Sequence, residues 1–219
     1  MKRVCAAIIG FLGLIGAAQA QAPVAVVEDV RGKVSGAELM DYVVPGQLIK
    51  LGTGGVVVLD YMKSCWREII SGIGTVIVGT EQSAVHLAEF RADKVACDPS
   101  QSQHIGHETG ESAAALVRGL NEPDPPPLVL HGLSPIIAAS GRGKLVVERL
   151  DVKGERYEID LTPASLTRGK FYDFARAKVA LKPGGTYSAM LKSRRVVFLV
   201  DAQAEPGPGP VIGRLVPLQ

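Results

Sequence analysis

The chain reads as mainly β, in two small modules joined by a proline-rich linker. Three observations predict this. Apolar runs are short and rich in β-branched residues, with VVVL at 56–59, EII at 68–70 and TVIV at 75–78. Glycine and proline punctuate them, 25 and 14 in 219 residues, which suits many tight turns rather than long helices. No 3.6-residue apolar period persists through residues 21–98. A hydrophobic content of 47% supplies a packed core, although aromatic residues are only 5%.

The first twenty residues stand apart. Lys2 and Arg3 form a positive start, residues 4–18 a short apolar run, and Ala18-Gln19-Ala20 a small-x-small cleavage site before Gln21. This pattern predicts a secretory signal peptide over 1–20. The competing reading is an uncleaved anchor, but the run is shorter than the roughly 20 residues a spanning helix needs. Cys5 lies at the start of the apolar run and not just after it, which argues against a lipoprotein. The expectation is a periplasmic protein with no stable membrane insertion after signal cleavage. With 24 basic and 22 acidic residues the charge is too balanced for a nucleic-acid or anionic-membrane surface. Cys65 and Cys97 remain, an even number in an oxidising compartment, and are expected to form one disulfide. The alternative is two buried thiols; a redox pair lacks CxxC spacing.

The first module, 21–98, begins with a strand at 24–27, turned at Arg31-Gly32. Pro45-Gly46 is a turn signal. Strands follow at 48–51, 56–61, 66–70, 75–78 and 84–90, and 95–97 closes the module. Short strands with tight turns suit a small β-roll or solenoid-like sheet.

Gly32, Val34, Pro45, Gly46, Ile49, Gly52, Gly55, Val57, Leu59, Tyr61, Ile70, Gly72, Gly74, Val76, Val78 and Gly79 together form a pattern that resembles a FecR-type periplasmic domain. In that family such positions are turns and inward-facing strand residues, so the resemblance implies a fold and not a chemistry. It covers about a third of the chain. Met62-Lys63-Ser64-Cys65 stands where the family has a polar Asp-Gly-Ser-like turn. The anti-sigma and transmembrane segments of signalling members are not seen, so the resemblance implies a free-standing FecR-like domain.

Residues 99–127 read as the linker. Asn121 and the run Pro125-Pro126-Pro127 give it an extended end, and 112–120 has the composition of a short helix. From Leu128 to 219 the β pattern returns, with strands at 144–149, 157–161, 178–181, 186–191, 196–200 and 211–218 and a short helix within 166–175. That spacing predicts a small antiparallel sandwich. Leu181, Pro183, Gly184, Gly185, Tyr187 and Ala189 resemble the C-terminal Ig-like segments that accompany some FecR-like proteins.

Candidate chemistry is sparse. His104 and His107, with Asp98, Glu108 and Glu111, have the residue types for a divalent metal, but Gly106 and the polar setting favour solvated histidines, and no metal or cofactor is expected. His86 and His131 have no partner visible in the sequence. Asp41, Asp60 and Glu68 are candidate glycosidase carboxylates, read more simply as charges near strand ends. Ser64 has no base in its motif and no G-x-S-x-G occurs. Trp66 is a candidate stacking platform for a sugar, against a core role beside the disulfide. Arg194 and Arg195, with Arg142, Lys144 and Lys192, form a candidate anionic-partner surface, against a solvated face. The functional expectation is a non-enzymatic periplasmic binding or scaffolding protein whose partner is an envelope protein or cell-wall glycan. Alternatives are a sensor in sigma-factor-type envelope signalling and a glycan-acting enzyme.

Overall fold

A computed structural model describes residues 21–100, 127–139 and 141–218. The signal-peptide reading, His104 and His107, and the helix expected at 112–120 lie outside these residues.

The described chain is mainly β. The first module contains β1 (Ala25–Arg31), β2 (Val34–Ser35), β3 (Tyr42–Val43), β4 (Leu48–Leu51), β5 (Val56–Tyr61), β6 (Trp66–Ser71), β7 (Gly74–Ile77), β8 (Ala84–His86) and β9 (Glu89–Lys94). They form two antiparallel sheets, ordered β3-β1-β5-β6-β9 and β2-β4-β7-β8. Alternation in β4, where Ile49 and Leu51 are buried and Leu48 and Lys50 exposed, turns one face to a core shared with Val27, Val57, Leu59, Tyr61, Ile70 and Val76. Gly32 turns β1 into β2 at φ 66, and a Cβ there would lie 2.0 Å from the carbonyl oxygen of Gly54, so no side chain fits. Tyr61 closes the β7–β8 connection: its hydroxyl meets Ser83 Oγ at 2.8 Å and accepts from the Gly79 N–H at 3.2 Å.

Two expectations here are corrected. Residues 84–90 are not one strand, because Leu87 turns the chain at φ 65 between β8 and β9. Residues 95–97 are not a strand. The Val95 N–H donates to the Cys65 carbonyl at 3.0 Å, extending the β6–β9 ladder by one bond before the chain leaves. Cys65 and Cys97 are joined by a disulfide, with Cα atoms 5.7 Å apart.

The second module contains β10 (Leu128–Gly132), β11 (Ile136–Ala139), β12 (Gly143–Arg149), β13 (Arg156–Leu161), β14 (Phe171–Asp173), β15 (Thr186–Leu191), β16 (Arg194–Glu205) and β17 (Leu215–Leu218). Its sheets are ordered β10-β16-β15-β12-β13 and β14-β11-β17 and pack over one core that includes Leu130, Ile137, Leu145, Tyr187, Phe198 and Val216. Most pairings are antiparallel, and β10–β16 and β11–β17 are parallel. The short helix expected within 166–175 is instead β14, paired with β11 through Ile137↔Tyr172 and Ala138↔Phe171. Aromatic side chains that pack edge-to-face, Tyr172 on Phe174 at 5.4 Å, favour the sheet. Residues 178–181 are not a strand. Val179 and Leu181 are anchored singly, their N–H groups on the carbonyls of Phe174 and Leu133. Residues 211–218 begin as a 3-10 turn, Val211–Gly213, and only then become β17.

The modules pack directly on one another. Val26, Met40 and Met62 of the first meet Ile136, Ala138, Phe171, Val211, Ile212 and Leu215 of the second in a continuous buried cluster. Tyr42 packs edge-to-face on Phe171 at 6.5 Å. Arg168 reaches across to Glu38 at 2.6 Å, Asp41 at 2.5 Å and the Leu39 carbonyl at 2.8 Å.

Candidate functional site, a cleft between the modules

Val26, Asp60, Arg67 and Asp93 lie side by side across β1, β5, β6 and β9, on the face turned to the second module. Glu28, two residues on from Val26, falls on the same face by ordinary alternation, and the extra residue in β1, where Val27 pairs with Leu59 and Asp29 with Val58, brings Asp29 to that face as well. The result is an ionic cluster at the base of the interface. Arg67 Nη2 meets Glu28 Oε1 at 2.5 Å, and its Nε lies 3.9 Å from Asp60 Oδ1. Asp60 is fully buried, and its Oδ2 accepts from the backbone N–H of Ile212 in the second module at 3.3 Å.

Glu28 Oε2 and Asp60 Oδ1 are buried without a donor. Burial, and then the neighbouring charge of Glu28, hold the Asp60 carboxyl well above its ordinary range. A proton retained on Asp60 is a donor that this otherwise acceptor-only part of the cluster lacks. A protonated acid also answers the burial problem, because a buried unpaired carboxylate is far costlier than a buried neutral acid.

Above this base a cleft of about 300 Å³ opens between the modules. Glu28, Asp29 and Arg67 line it from the first, and Asp173, Arg176 and Arg214 from the second, with Met40, Ile136, Phe171 and Val211 as apolar wall. Arg214 is 4% exposed. Its Nη1 donates to the Ser134 carbonyl at 2.8 Å and to Asp173 Oδ1 at 3.1 Å, and its Nε to the Gly209 carbonyl at 2.9 Å. Its stem lies on Gly132, where a Cβ would come within 2.5 Å of Arg214 Cγ. Both signs of charge are thus fixed around an apolar wall, an arrangement that suits a ligand with polar groups of both kinds and some apolar surface.

The carboxylates named from sequence do not face one another. Asp60 is at the cleft base. Glu68 lies on the opposite face of the sheet, buried in the first module, where it accepts from the Ser83 N–H at 2.9 Å. Burial pushes the Glu68 carboxyl up, with the Ser83 hydrogen bonds opposing. Asp41 is tied to Arg168 at the module boundary. Ser64 donates to the Glu81 carbonyl at 2.7 Å. Trp66 is half-buried against the first core, and Lys94 Nζ sits 4.4 Å above its ring. Arg194 and Arg195 open β16, exposed, at the tight turn with Lys192. Lys192 also approaches Gly141 and Gly143, so this basic group gathers at one end of the β10–β13 sheet, away from the cleft, while Lys144 pairs with Glu158 at 3.0 Å. His86 is exposed, and His131 lies 3.5 Å from Asp201. Among the described residues no group of three His, Cys, Asp or Glu side chains gathers as a metal site.

Glu28, Arg67, Asp173 and Arg214 escape sequence reasoning. Two signals were present: the broken alternation of Val26-Val27-Glu28-Asp29-Val30, and a lone arginine inside the apolar run 211–218.

No protein-family model, curated protein or solved structure matches this chain. The FecR-type resemblance rests on the sequence pattern.

Proposed function

We propose that this chain is a periplasmic, non-enzymatic binding and scaffolding protein of the cell envelope, built on a FecR-like β module with an Ig-like β segment packed against it. The inter-module cleft carries this reading: it is concave, has a mixed polar and apolar lining, and is framed by charged groups already fixed in place. The leader-like first twenty residues and the Cys65–Cys97 disulfide support export to an oxidising compartment. The ligand class is an envelope protein or a cell-wall glycan. The test is recovery of a C-terminally tagged copy after in-cell crosslinking, with the same copy tested for co-sedimentation with purified sacculi. The expected result is one dominant envelope protein or saturable sacculus binding. Recovery of neither, from cells that export the protein, would overturn the proposal.

A further inference from the structure

β9 is the last strand of its sheet, and among the described residues nothing pairs with its outer edge. Its register fixes which groups are free. Val95 donates to the Cys65 carbonyl, so the odd-numbered residues of β9 bond inward to β6, through Asp93↔Arg67, Arg91↔Ile69 and Glu89↔Ser71. Phe90, Ala92 and Lys94 therefore turn their backbone N–H and C=O groups outward. Arg91 and Asp93 are exposed on one face of the strand, and neither forms an ion pair among the described residues; Arg67, opposite Asp93, is turned to Glu28 and Asp60.

From this arrangement we propose that β9 is a homodimer edge, pairing antiparallel with β9 of a second copy about a two-fold axis through Ala92. In this register Ala92 faces Ala92 of the second copy and Phe90 faces its Lys94, so every outward N–H and C=O of these residues finds a partner. Arg91 then stands opposite Asp93 of the second copy, and Asp93 opposite its Arg91, at the closely spaced positions where cross-strand charge pairs act most strongly. The neighbouring symmetric register, centred on Arg91, sets arginine against arginine and Glu89 against Asp93, so charge selects one alignment. Exposed edges are usually blunted by charge to prevent pairing. Here the charges repel most strands and complement their own. The pairing is isologous and uses the β9 edge of both copies, so this contact closes at two. This inference is independent of the cleft, which β9 does not line.

The test is sedimentation equilibrium on the purified protein, with far-UV circular dichroism to show that each variant keeps its β fold. The expected result is a reversible dimer at concentrations up to about 100 µM. Arg91→Asp and Asp93→Arg should each weaken dimerisation by roughly tenfold or more. Mixed together, the two should form a heterodimer, because each then offers the charges the other needs, and Arg91→Asp/Asp93→Arg should restore self-association. A monomeric wild type would overturn the proposal and leave β9 open to a strand from another protein. Dimerisation unchanged in both folded single variants, or no heterodimer on mixing, would overturn it equally.

Discussion

Removing the Cys65–Cys97 disulfide is the perturbation whose magnitude follows most directly from the structure. The bridge spans a sequence separation of 32, which in the chain-entropy model stabilises the fold by about 3.7 kcal/mol. It joins the β5–β6 turn to the chain just past β9, so it clamps one end of the β6–β9 pair, where Trp66 lies opposite Lys94. A second term is local. Cys65 lies at φ 52, a left-handed conformation that costs a side-chain-bearing residue about 1–2 kcal/mol. In the native protein the disulfide and the bond from the Cys65 N–H to the Tyr61 carbonyl, at 3.0 Å, hold it there. Cys65→Ala/Cys97→Ala should therefore lose about 3–4 kcal/mol, a large share of the roughly 5–15 kcal/mol of a typical domain. Cys65→Gly/Cys97→Ala should lose about 1 kcal/mol less, because glycine accepts the left-handed turn. Urea titrations of the three proteins at one concentration read both differences. A double-alanine variant within about 1 kcal/mol of wild type would refute the loop-closure reasoning. A glycine variant no better than the alanine one would refute the conformational argument.

Other predictions concern buried polar groups and one turn. The Asp60 carboxyl is raised in the folded state: below its ordinary value both states are protonated, and as pH rises the unfolded chain sheds the proton while the folded one keeps it. Stability from this group is thus full below about pH 4 and falls by about 1.4 kcal/mol per pH unit above it, until the folded carboxyl ionises. Asp60→Asn should match wild type near pH 4 and exceed it at pH 7; stability curves that stay parallel across that range would contradict the raised Asp60 carboxyl. The Tyr187 hydroxyl meets Glu155 Oε1 at 2.7 Å and accepts from the Lys182 N–H at 3.0 Å, so Tyr187→Phe should destabilise by about 1–3 kcal/mol in chemical denaturation. Burial favours a protonated Glu155, yet hydrogen bonds from Tyr187, Lys182 and Arg149 hold its carboxyl below the usual range. The same variant should therefore also lose acid resistance, seen as an unfolding midpoint at higher pH. Gly32→Ala would drive a Cβ into the Gly54 carbonyl at a left-handed position and should cost at least about 2 kcal/mol, read as a lower urea midpoint.

The strands most legible in the sequence are those whose apolar pattern is both dense and bounded. β5 is readable to the residue because VVVLDY sits between Gly54-Gly55 and the Lys63-Ser64 turn, and β4 because LIKL alternates. Misreadings arose where apolar residues serve a loop or a neighbour. Leu87 looks like strand but is a turn residue almost fully exposed, and Val211 and Ile212 look like strand but form a 3-10 turn buried against the first module. Parallel pairings such as β10 with β16 leave no local trace, since they join segments far apart in the chain. The site followed the same logic. Asp60 is visible as a carboxylate, but what sets its chemistry is burial, the neighbouring Glu28, a cross-strand Arg67 and the N–H of Ile212, which depend on register and on docking of the two modules.

The cleft is the centre of the functional account, and site-directed photocrosslinking from it is the most direct test. A photoreactive residue would replace Arg176 at the cleft wall or Lys153 at a remote exposed turn, in cells exporting the protein. Discrete crosslinked species are expected from position 176, to an envelope protein or to cell-wall material, and none from 153. The same pattern from both positions, or no crosslink from the cleft in a folded and exported protein, would contradict it.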